Sequence, residues 1–335
     1  MDKDAKILFF HIGQSLYLQY VLYQAKFSSP NSDVILLGEN TKFRGIENAP
    51  LDNFSNTERI RIFKENYVHM SSNSQEFELN CWLRWFYMFE YMRRNRIHSV
   101  FHFDSDVSLY SSIETIVQSY SHLISDCAFM IPYQDSNLLQ WLASGHVSYW
   151  TATMLGEFCD FIIDSFCKDK YLRLYKDKWN WHISTGRPGG ICDMTTLYFF
   201  WLERQSLITN LAINYDGNVF DDNVNCSSNH KEDEYVIHQG IKKIKFINKK
   251  PMFISKKTGE FVYAHAIHFQ GNAKVFIPRY YTGMVFKGKV PSDMFFYYKR
   301  WEWRLRKSLS RSRGIKKVFL WIRRFISGLS QFCGR

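Results

Sequence analysis

The sequence lacks several short patterns that mark common classes of enzyme. It has no phosphate-binding P-loop, no Gly-x-Gly-x-x-Gly turn and no Gly-x-Ser-x-Gly elbow. Its seven cysteines form an odd set without any Cys-x-x-Cys pair, and most of them stand in apolar runs. We therefore expect reduced, buried thiols and no structural zinc, and the missing motifs argue against P-loop, dinucleotide-binding and hydrolase functions.

An apolar leader followed by a small-residue cleavage site is missing as well. The charged residues 1–6 run straight into a strand-like apolar segment at residues 7–10. We expect a cytoplasmic protein without a secretion signal, and reduced thiols fit that compartment.

Apolar and aromatic residues are abundant, at 46% and 18% of the 335 residues, enough for a large packed core. The net charge of +11 is concentrated at one end of the chain. Residues 299–335 hold twelve Lys or Arg and a single acid, Glu302, whereas the rest of the chain is neutral. The sequence thus predicts one domain over residues 1–290 and a basic tail over residues 291–335.

The tail contains an amphipathic segment. Residues 315–329 place apolar side chains on one helical face and basic side chains on its flank, which suits an anionic membrane surface. The segment is too short and too charged to span a membrane. Nucleic-acid binding is a less favoured alternative because of the apolar face, and packing on the protein's own body or a second subunit is another. We expect peripheral association with the inner face of the membrane.

Short apolar runs alternate with helical periodicity in the first half of the chain. Strands are predicted at residues 7–10, 33–37, 97–103, 127–131, 208–214, 242–247 and 261–267. Helices are predicted at residues 14–26, 76–95, 112–120, 151–167 and 193–204. Alternating strands and helices predict an α/β fold, with a Rossmann-like, mostly parallel sheet flanked by helices.

Ligands of open α/β sheets bind beyond the carboxyl ends of the strands. This rule draws attention to His11 and Gly13 after the first predicted strand, and to Asn40 after the second. It also selects residues 104–106 after the third. We expect these segments to converge in space.

Asp104 and Asp106 follow that third strand and are separated only by Ser105. Side chains at positions i and i+2 of an extended chain point to the same side, so both carboxylates can face one Mn²⁺ or Mg²⁺ ion. Such an ion neutralises charge on a leaving diphosphate. The same spacing occurs in helix caps and solvated turns, but Ser111 or Ser112 can cap the next helix and leave the aspartates free.

A second polar pattern occupies residues 266–274, where His268, Gly271 and Lys274 follow a strand-like run. Neutral imidazole is a common metal ligand, glycine permits close approach to a phosphate, and lysine supplies a positive charge. A histidine at the end of a strand can also be an ordinary surface or core residue without a metal. Residues 266–274, taken by themselves, leave that alternative open.

Together the two patterns resemble the glycosyltransferases of the GT-A fold, whose Asp-x-Asp motif follows a strand and coordinates metal and nucleotide sugar. Residues 266–274 are similar to the late His-Phe-x-Gly-x-x-Lys segment of several such families, including the glycogenin-like ones. The resemblance implies Asp106 as principal metal ligand and Asp104 as a contact for the ribose or metal. It implies that His268 completes the metal site and that Lys274 meets the diphosphate. The Pro-Trp usual after that lysine is Val-Phe here.

Asp193 is a further site residue that follows from the same resemblance. Asp193 stands after a glycine turn, where an acid either deprotonates the acceptor or lines the sugar; capping the next helix is the alternative. Arg84, on the long helix before the motif, is predicted to reach the diphosphate. Residues 144–146 are interpreted as a polar turn; the alternative is a position beside the donor sugar, where His146 could hydrogen-bond a hydroxyl. Residues 221–222 are interpreted as a loop, with joint metal binding as the less favoured alternative.

The resemblance implies a metal-dependent glycosyltransferase that uses a nucleoside-diphosphate sugar, with a UDP-sugar favoured, and a glycan or lipid-linked acceptor. A role in bacterial-type cell-surface glycan synthesis is expected. The predicted nucleotide-sugar site also takes in His11, Gly13, Asn40, Ser105 and Gly271. The alternative from another class is a non-enzymatic basic protein that binds membrane or nucleic acid peripherally.

Overall fold

The structure is a computed structural model that describes residues 1–2, 4–135 and 138–283. The predicted domain boundary at residue 290 and the basic segment 299–335 lie outside the described residues. Within the described part of the chain, none of the helices combines the length and the apolar character needed to cross a membrane.

Strands are numbered here in chain order over the described residues. They are β1 (Lys6–His11), β2 (Val34–Gly38), β3 (Glu47–Pro50), β4 (Ser99–Asp104), β5 (Val107–Leu109), β6 (Cys127–Met130), β7 (Ser144–Thr151), β8 (Ile208–Asn210), β9 (Asn218–Phe220), β10 (Ile237–His238), β11 (Ile241–Lys242), β12 (Lys245–Ile247), β13 (Lys250–Ile254) and β14 (Phe261–His268).

Helices are numbered in the same way. They are α1 (Leu18–Ser28), α2 (Glu58–Asn66), α3 (Gln75–Arg94), α4 (Ile113–Tyr120), α5 (Ala152–Cys167), α6 (Asp169–Thr185), α7 (Asp193–Glu203) and α8 (Ile277–Tyr280). Short 3₁₀ helices cover Leu51–Asn53 and Gly271–Phe276.

The main sheet has the strand order β3-β2-β1-β4-β7-β6-β8. Strands β3, β2, β1 and β4 are parallel, β7 is antiparallel to both of its neighbours, and β8 is parallel to β6. The predicted fold class, an α/β domain around a mostly parallel sheet flanked by helices, is confirmed. His11 pairs with Gly38, and Phe10 pairs with Asp104, so the carboxyl ends of β1, β2 and β4 share one edge.

Alternation along β1 shows how the sheet is buried on both faces. Ile7 and Phe9 pack into the core that includes α1 and α4, whereas Leu8 packs into the core that includes α3 and α5. Because both faces are covered by apolar layers, the parallel strands β1 and β2 carry continuous apolar runs over residues 7–10 and 34–37.

A smaller sheet lies beside the main one, with the order β12-β13-β14-β5, and β9 joins it by parallel pairing with β14. β5 follows β4 after a two-residue turn, so the small sheet begins where the main sheet ends. This junction determines the position of the site.

Several sequence predictions of local structure differ from the structure. The helix predicted from residue 14 begins at Leu18, and the polar turn predicted at residues 144–146 is wrong because Ser144 begins β7. Strand β3 and helices α2 and α6 were not predicted. The expected cap of α4 is present: the Ser112 hydroxyl accepts a hydrogen bond from the Thr115 N–H.

Candidate active site

Two carboxylates leave the main sheet at the end of β4. Asp104 is the last residue of β4, and Asp106 lies in the turn before β5. Asp106 is only 8% exposed, and Asp104 is partly exposed in the same cleft. The structure places this pair directly after a buried strand, where the sequence predicts it.

β14 brings a histidine and a lysine to Asp106. Its antiparallel pairing with β5 sets His268 opposite Val107, and the Phe269 N–H donates to the Asp106 carbonyl at 3.0 Å. His268 Nε2 then lies 3.5 Å from Asp106 Oδ1, and Lys274 Nζ lies 3.2 Å from Oδ2. The register of one strand pair therefore joins two motifs that are far apart in sequence.

The charges around Asp106 stabilise one another. Burial alone would lower the pKa of His268, but the Asp106 carboxylate and the Asp222 carbonyl outweigh burial and raise this pKa to about 9. Burial would raise the pKa of Asp106, yet His268 and Lys274 hold it below its usual range. At neutral pH the group is therefore a carboxylate between two cations.

A buried arginine links two further acids. Arg84 Nη1 donates to Asp104 Oδ1, and Arg84 Nη2 donates to Asp193 Oδ2, each at 2.6 Å. His102 Nε2 lies 3.2 Å from the same oxygen of Asp104. Although burial opposes it, Arg84 holds the pKa of Asp104 well below its usual range. The sequence predicted that Arg84 reaches a diphosphate; in the structure it connects Asp104 with Asp193.

Asp193 is the first residue of α7, and its side chain is turned away from the helix end. Oδ2 accepts hydrogen bonds from Arg84 and from the Trp85 indole N–H, the latter at 2.9 Å. The N-cap of α7 is Cys192, without a side-chain capping bond. Asp193 therefore does not cap this helix, although it stands in the first turn, where an acid favours the helix dipole.

The segments after β1 and β2 do not contribute equally to the cleft lining. His11 Nδ1 lies 2.8 Å from the Ser105 hydroxyl, so β1 meets the motif turn. His11 Nε2 is buried without a hydrogen-bond partner among the described residues, and burial lowers the pKa of this ring. The Gly13 N–H donates to the Glu39 carboxylate at 3.0 Å. Gly13 and Asn40 are not among the residues that line the cleft.

His268 is held in place by residues that are not among the predicted site residues. Asp221 accepts the His268 N–H through Oδ2 at 3.1 Å and pairs with Lys242 through Oδ1 at 2.5 Å. His146 stacks on His268, with ring centroids 4.1 Å apart. Burial raises the pKa of Asp222 to about 6. The structure confirms the loop predicted at residues 221–222, since both acids lie outside the helices and strands.

Several of these groups line one cleft of about 860 Å³. Nine residues predicted for the site line it: His11, Arg84, Asp104, Ser105, Asp106, Asp193, His268, Gly271 and Lys274. A cleft of this size with convergent charged groups is typical of small-molecule sites in enzymes.

The surroundings of Asp106 suit a divalent ion that shares its coordination with a substrate. The His268 Nδ1–H donates to the Asp222 carbonyl at 2.6 Å, which leaves Nε2 facing Asp106. Hydrogen bonds of this kind orient metal-binding histidines. Within the described residues no cluster of three or more His, Cys, Asp or Glu is arranged to hold an ion. Asp106 and His268 are the two side chains here that could ligate a divalent ion, whose remaining coordination positions substrate phosphates and water could fill.

No protein-family model matches the chain, and no curated protein sequence matches it. Among solved structures, the chain is similar to mouse xyloside xylosyltransferase 1 in its apo form, with 8% identity and a TM-score of 0.44 over 62% of this chain and 85% of that chain. It is also similar to apo WbbM, a bifunctional glycosyltransferase, with 8% identity and a TM-score of 0.44 over 89% of this chain and 52% of that chain. The third is the PaToxG glycosyltransferase, with 8% identity and a TM-score of 0.37 over 61% of this chain and 70% of that chain. All three are glycosyltransferases.

Proposed function

We propose that the chain is a metal-dependent glycosyltransferase that moves a sugar from a nucleoside diphosphate, most favourably UDP, to a hydroxyl of an acceptor. One observation carries the proposal: the Asp106 carboxylate faces His268 and Lys274 at the carboxyl end of a parallel sheet, in a large cleft. Departure of a diphosphate creates negative charge, and this arrangement offers a metal position and a fixed cation at one place.

A Mn²⁺ or Mg²⁺ ion held by Asp106 and His268 would neutralise charge on the leaving diphosphate. Lys274, next to Asp106, places a positive charge beside the same group. Arg84 and His102 contact Asp104 through Oδ1, which leaves Oδ2 available to the ribose or to the ion. These side chains are fixed before substrate binds, which lowers the cost of organising them.

The predicted role of Asp193 as a base stays a prediction, and the contacts favour another role. The Asp193 carboxylate accepts hydrogen bonds from the Arg84 guanidinium and the Trp85 indole through the same oxygen, Oδ2. Asp193 is better suited to hold Arg84 and, through it, Asp104.

The proposal includes an acceptor at the inner face of the membrane, either a glycan or a lipid-linked glycan of bacterial cell-surface type. The basic composition of residues 299–335 supports it, because such a tail is attracted to anionic lipid headgroups. A peripheral enzyme would then meet an acceptor already held at that surface.

Calorimetric titration with UDP-, GDP- and CMP-sugars, with and without Mn²⁺, tests the function. We expect Mn²⁺-dependent binding of one donor, thermal stabilisation by that donor, and slow donor hydrolysis. Asp106→Asn should weaken donor binding roughly tenfold or more and abolish hydrolysis. Asp216→Asn, at an exposed acid outside the cleft lining, is the matched control. Absence of binding by any donor would favour the non-enzymatic alternative.

A further inference from the structure

The cleft extends beyond the groups assigned to the donor. Five lining residues on α3, on α6 and in the segment before α7 define what we call the distal half: Phe77, Lys178, Trp181, His182 and Arg187. None of the proposed metal or diphosphate contacts involves them. This half is therefore left for a second ligand.

Lys178 is the unusual member of the distal half, because it is a lysine that is only 1% exposed. Its Nζ donates to the Gln140 carbonyl and, at 2.7 Å, to the Thr195 hydroxyl, and both acceptors are uncharged. No acidic side chain among the described residues forms an ion pair with it. Burial lowers the pKa of Lys178 to about 8. An anionic group of a ligand would supply the missing opposite charge and accept the third N–H.

Aromatic rings line the same half of the cleft. Phe77, in the first turn of α3, is 57% exposed, which is high for a large apolar side chain at the edge of a polar cleft. The Arg187 guanidinium lies over the Trp181 ring at 5.4 Å from its centroid, and His182 meets that ring edge-on at 4.8 Å. Flat apolar surfaces framed by polar groups suit the C–H faces of sugar rings.

We infer that the distal half binds the acceptor as a saccharide that carries an acidic group, a carboxylate or a phosphate. Trp181 and Phe77 contact the sugar ring, Lys178 pairs with the acidic group from inside the cleft, and Arg187 adds positive charge at the rim. The inference names an acceptor class for the proposed glycosyltransferase and so rests on that function. Sugar binding by this half, however, requires no donor and can be measured alone.

Three sugars that differ only at C6 provide the test: methyl β-glucoside, methyl β-glucuronide and methyl β-glucoside 6-phosphate. Ligand-observed NMR with the full chain should show binding of at least one acidic sugar about tenfold tighter than the glucoside, since one charge-assisted hydrogen bond has this magnitude. The two acidic probes distinguish a carboxylate from a phosphate.

Variants connect the preference to the residues. Lys178→Met should remove the preference for the acidic sugar, whereas Lys176→Met, at an exposed lysine of the same helix, should keep it. Trp181→Ala should weaken the binding of all three sugars to the same extent. Because Lys178→Met also removes the contacts with Gln140 and Thr195, Arg187→Gln serves as a second variant at an exposed position and should reduce the preference in part.

The other possible outcomes each contradict either the inference about the acceptor or the proposed function. Equal affinity for neutral and acidic sugars, no sugar binding, or a preference unchanged in both Lys178→Met and Arg187→Gln overturns the inference. If the same protein samples bind a nucleotide sugar, the proposed function stands although the inference about the acceptor is overturned. Selective binding of an acidic sugar without any nucleotide-sugar binding would instead overturn the proposed function.

Discussion

The ion pair of Lys242 with Asp221 is fully buried, with both side chains 0% exposed. Lys242→Met would leave a carboxylate buried without its cation, so we expect the free energy of unfolding to fall by roughly 3–5 kcal/mol. Asp221 also accepts the His268 N–H, and the loss should therefore extend to donor binding. Urea denaturation and donor titration measure the two effects.

Lys256→Met is the matched control for that variant. Lys256 also pairs with an acid, Asp233, but both side chains are largely exposed to water. Water screens such a pair, so its removal should change stability far less. Equal losses in the two variants would show that the buried pair has no special role.

The pKa of His268 predicts how metal binding depends on pH. Because this pKa is raised to about 9, the ring is protonated at neutral pH, and a metal ion must displace that proton. Affinity for Mn²⁺ should therefore increase as pH rises towards 9, by roughly tenfold per pH unit for one displaced proton.

Calorimetry with Mn²⁺ alone, between about pH 6 and pH 8, measures this slope. His268→Ala should bind weakly and without the slope. An affinity in the wild-type protein that does not change with pH would mean that the ion binds elsewhere.

At the scale of single residues, the sequence identified the groups that directly follow strands. Asp104, Asp106 and His268 stand in short local patterns, and such patterns are visible in the sequence. Lys242 and Lys178 were missed because nothing near them marks a buried lysine. Their partners come from other parts of the chain, and only the folded structure brings them together.

At the scale of elements, a glycine allows the segment before α7 to lie against the segment before α3. Gly190 has φ +153° and forms a bridge with Ser71, and an added Cβ would lie 2.3 Å from the Met70 carbonyl oxygen. Gly190→Ala should therefore move the segment that leads to Asp193. We expect a loss of about 1–3 kcal/mol in the free energy of unfolding, together with weaker donor binding.

Gly45→Ala is the control that distinguishes the effect of the close contact at Gly190 from the effect of backbone strain. Gly45 also has a positive φ, +75°, but nothing lies within 4 Å of an added Cβ. It should cost only about 1 kcal/mol and leave donor binding unchanged. Thermal or urea unfolding of both variants makes the comparison, and equal effects would assign the cost to backbone strain alone.

The sequence predicted the early strands and the long helices of the first half, where apolar periodicity is clear. It missed β7 because Ser144, Gly145 and His146 are typical of turns. In the structure, a Cβ on Gly145 would lie 2.2 Å from the Trp85 ring, so this glycine is required by packing within a strand. It also missed α6, whose inner face includes the charged Lys178 and so breaks the apolar pattern.

At the scale of the whole molecule, the net positive charge of the chain is carried by residues outside the part that the structure describes. Residues 299–335 carry a net charge equal to that of the entire chain. A chain ending at Pro291 should therefore lose flotation with anionic vesicles and keep nucleotide-sugar binding, and salt should weaken flotation of the full chain. Flotation of the truncated chain at the level of the full chain would contradict the membrane proposal.

The overall class of fold followed from the order of strands and helices, since alternating elements permit few arrangements. The small sheet did not, because its pairing of β14 with β5 joins segments that no local pattern connects. Position in the sequence alone does not show which late strand returns to an early one.

That same pairing also has a consequence during synthesis. A ribosome adds about 5–20 residues per second, so Asp106 emerges roughly 8–30 seconds before His268. During that interval the first strands of the main sheet can form while the acid pair still lacks the histidine and lysine of β14 and the helix after it. Activity should therefore appear late, with the return of β14, and a nascent chain released before that point would carry the acid motif but no working site.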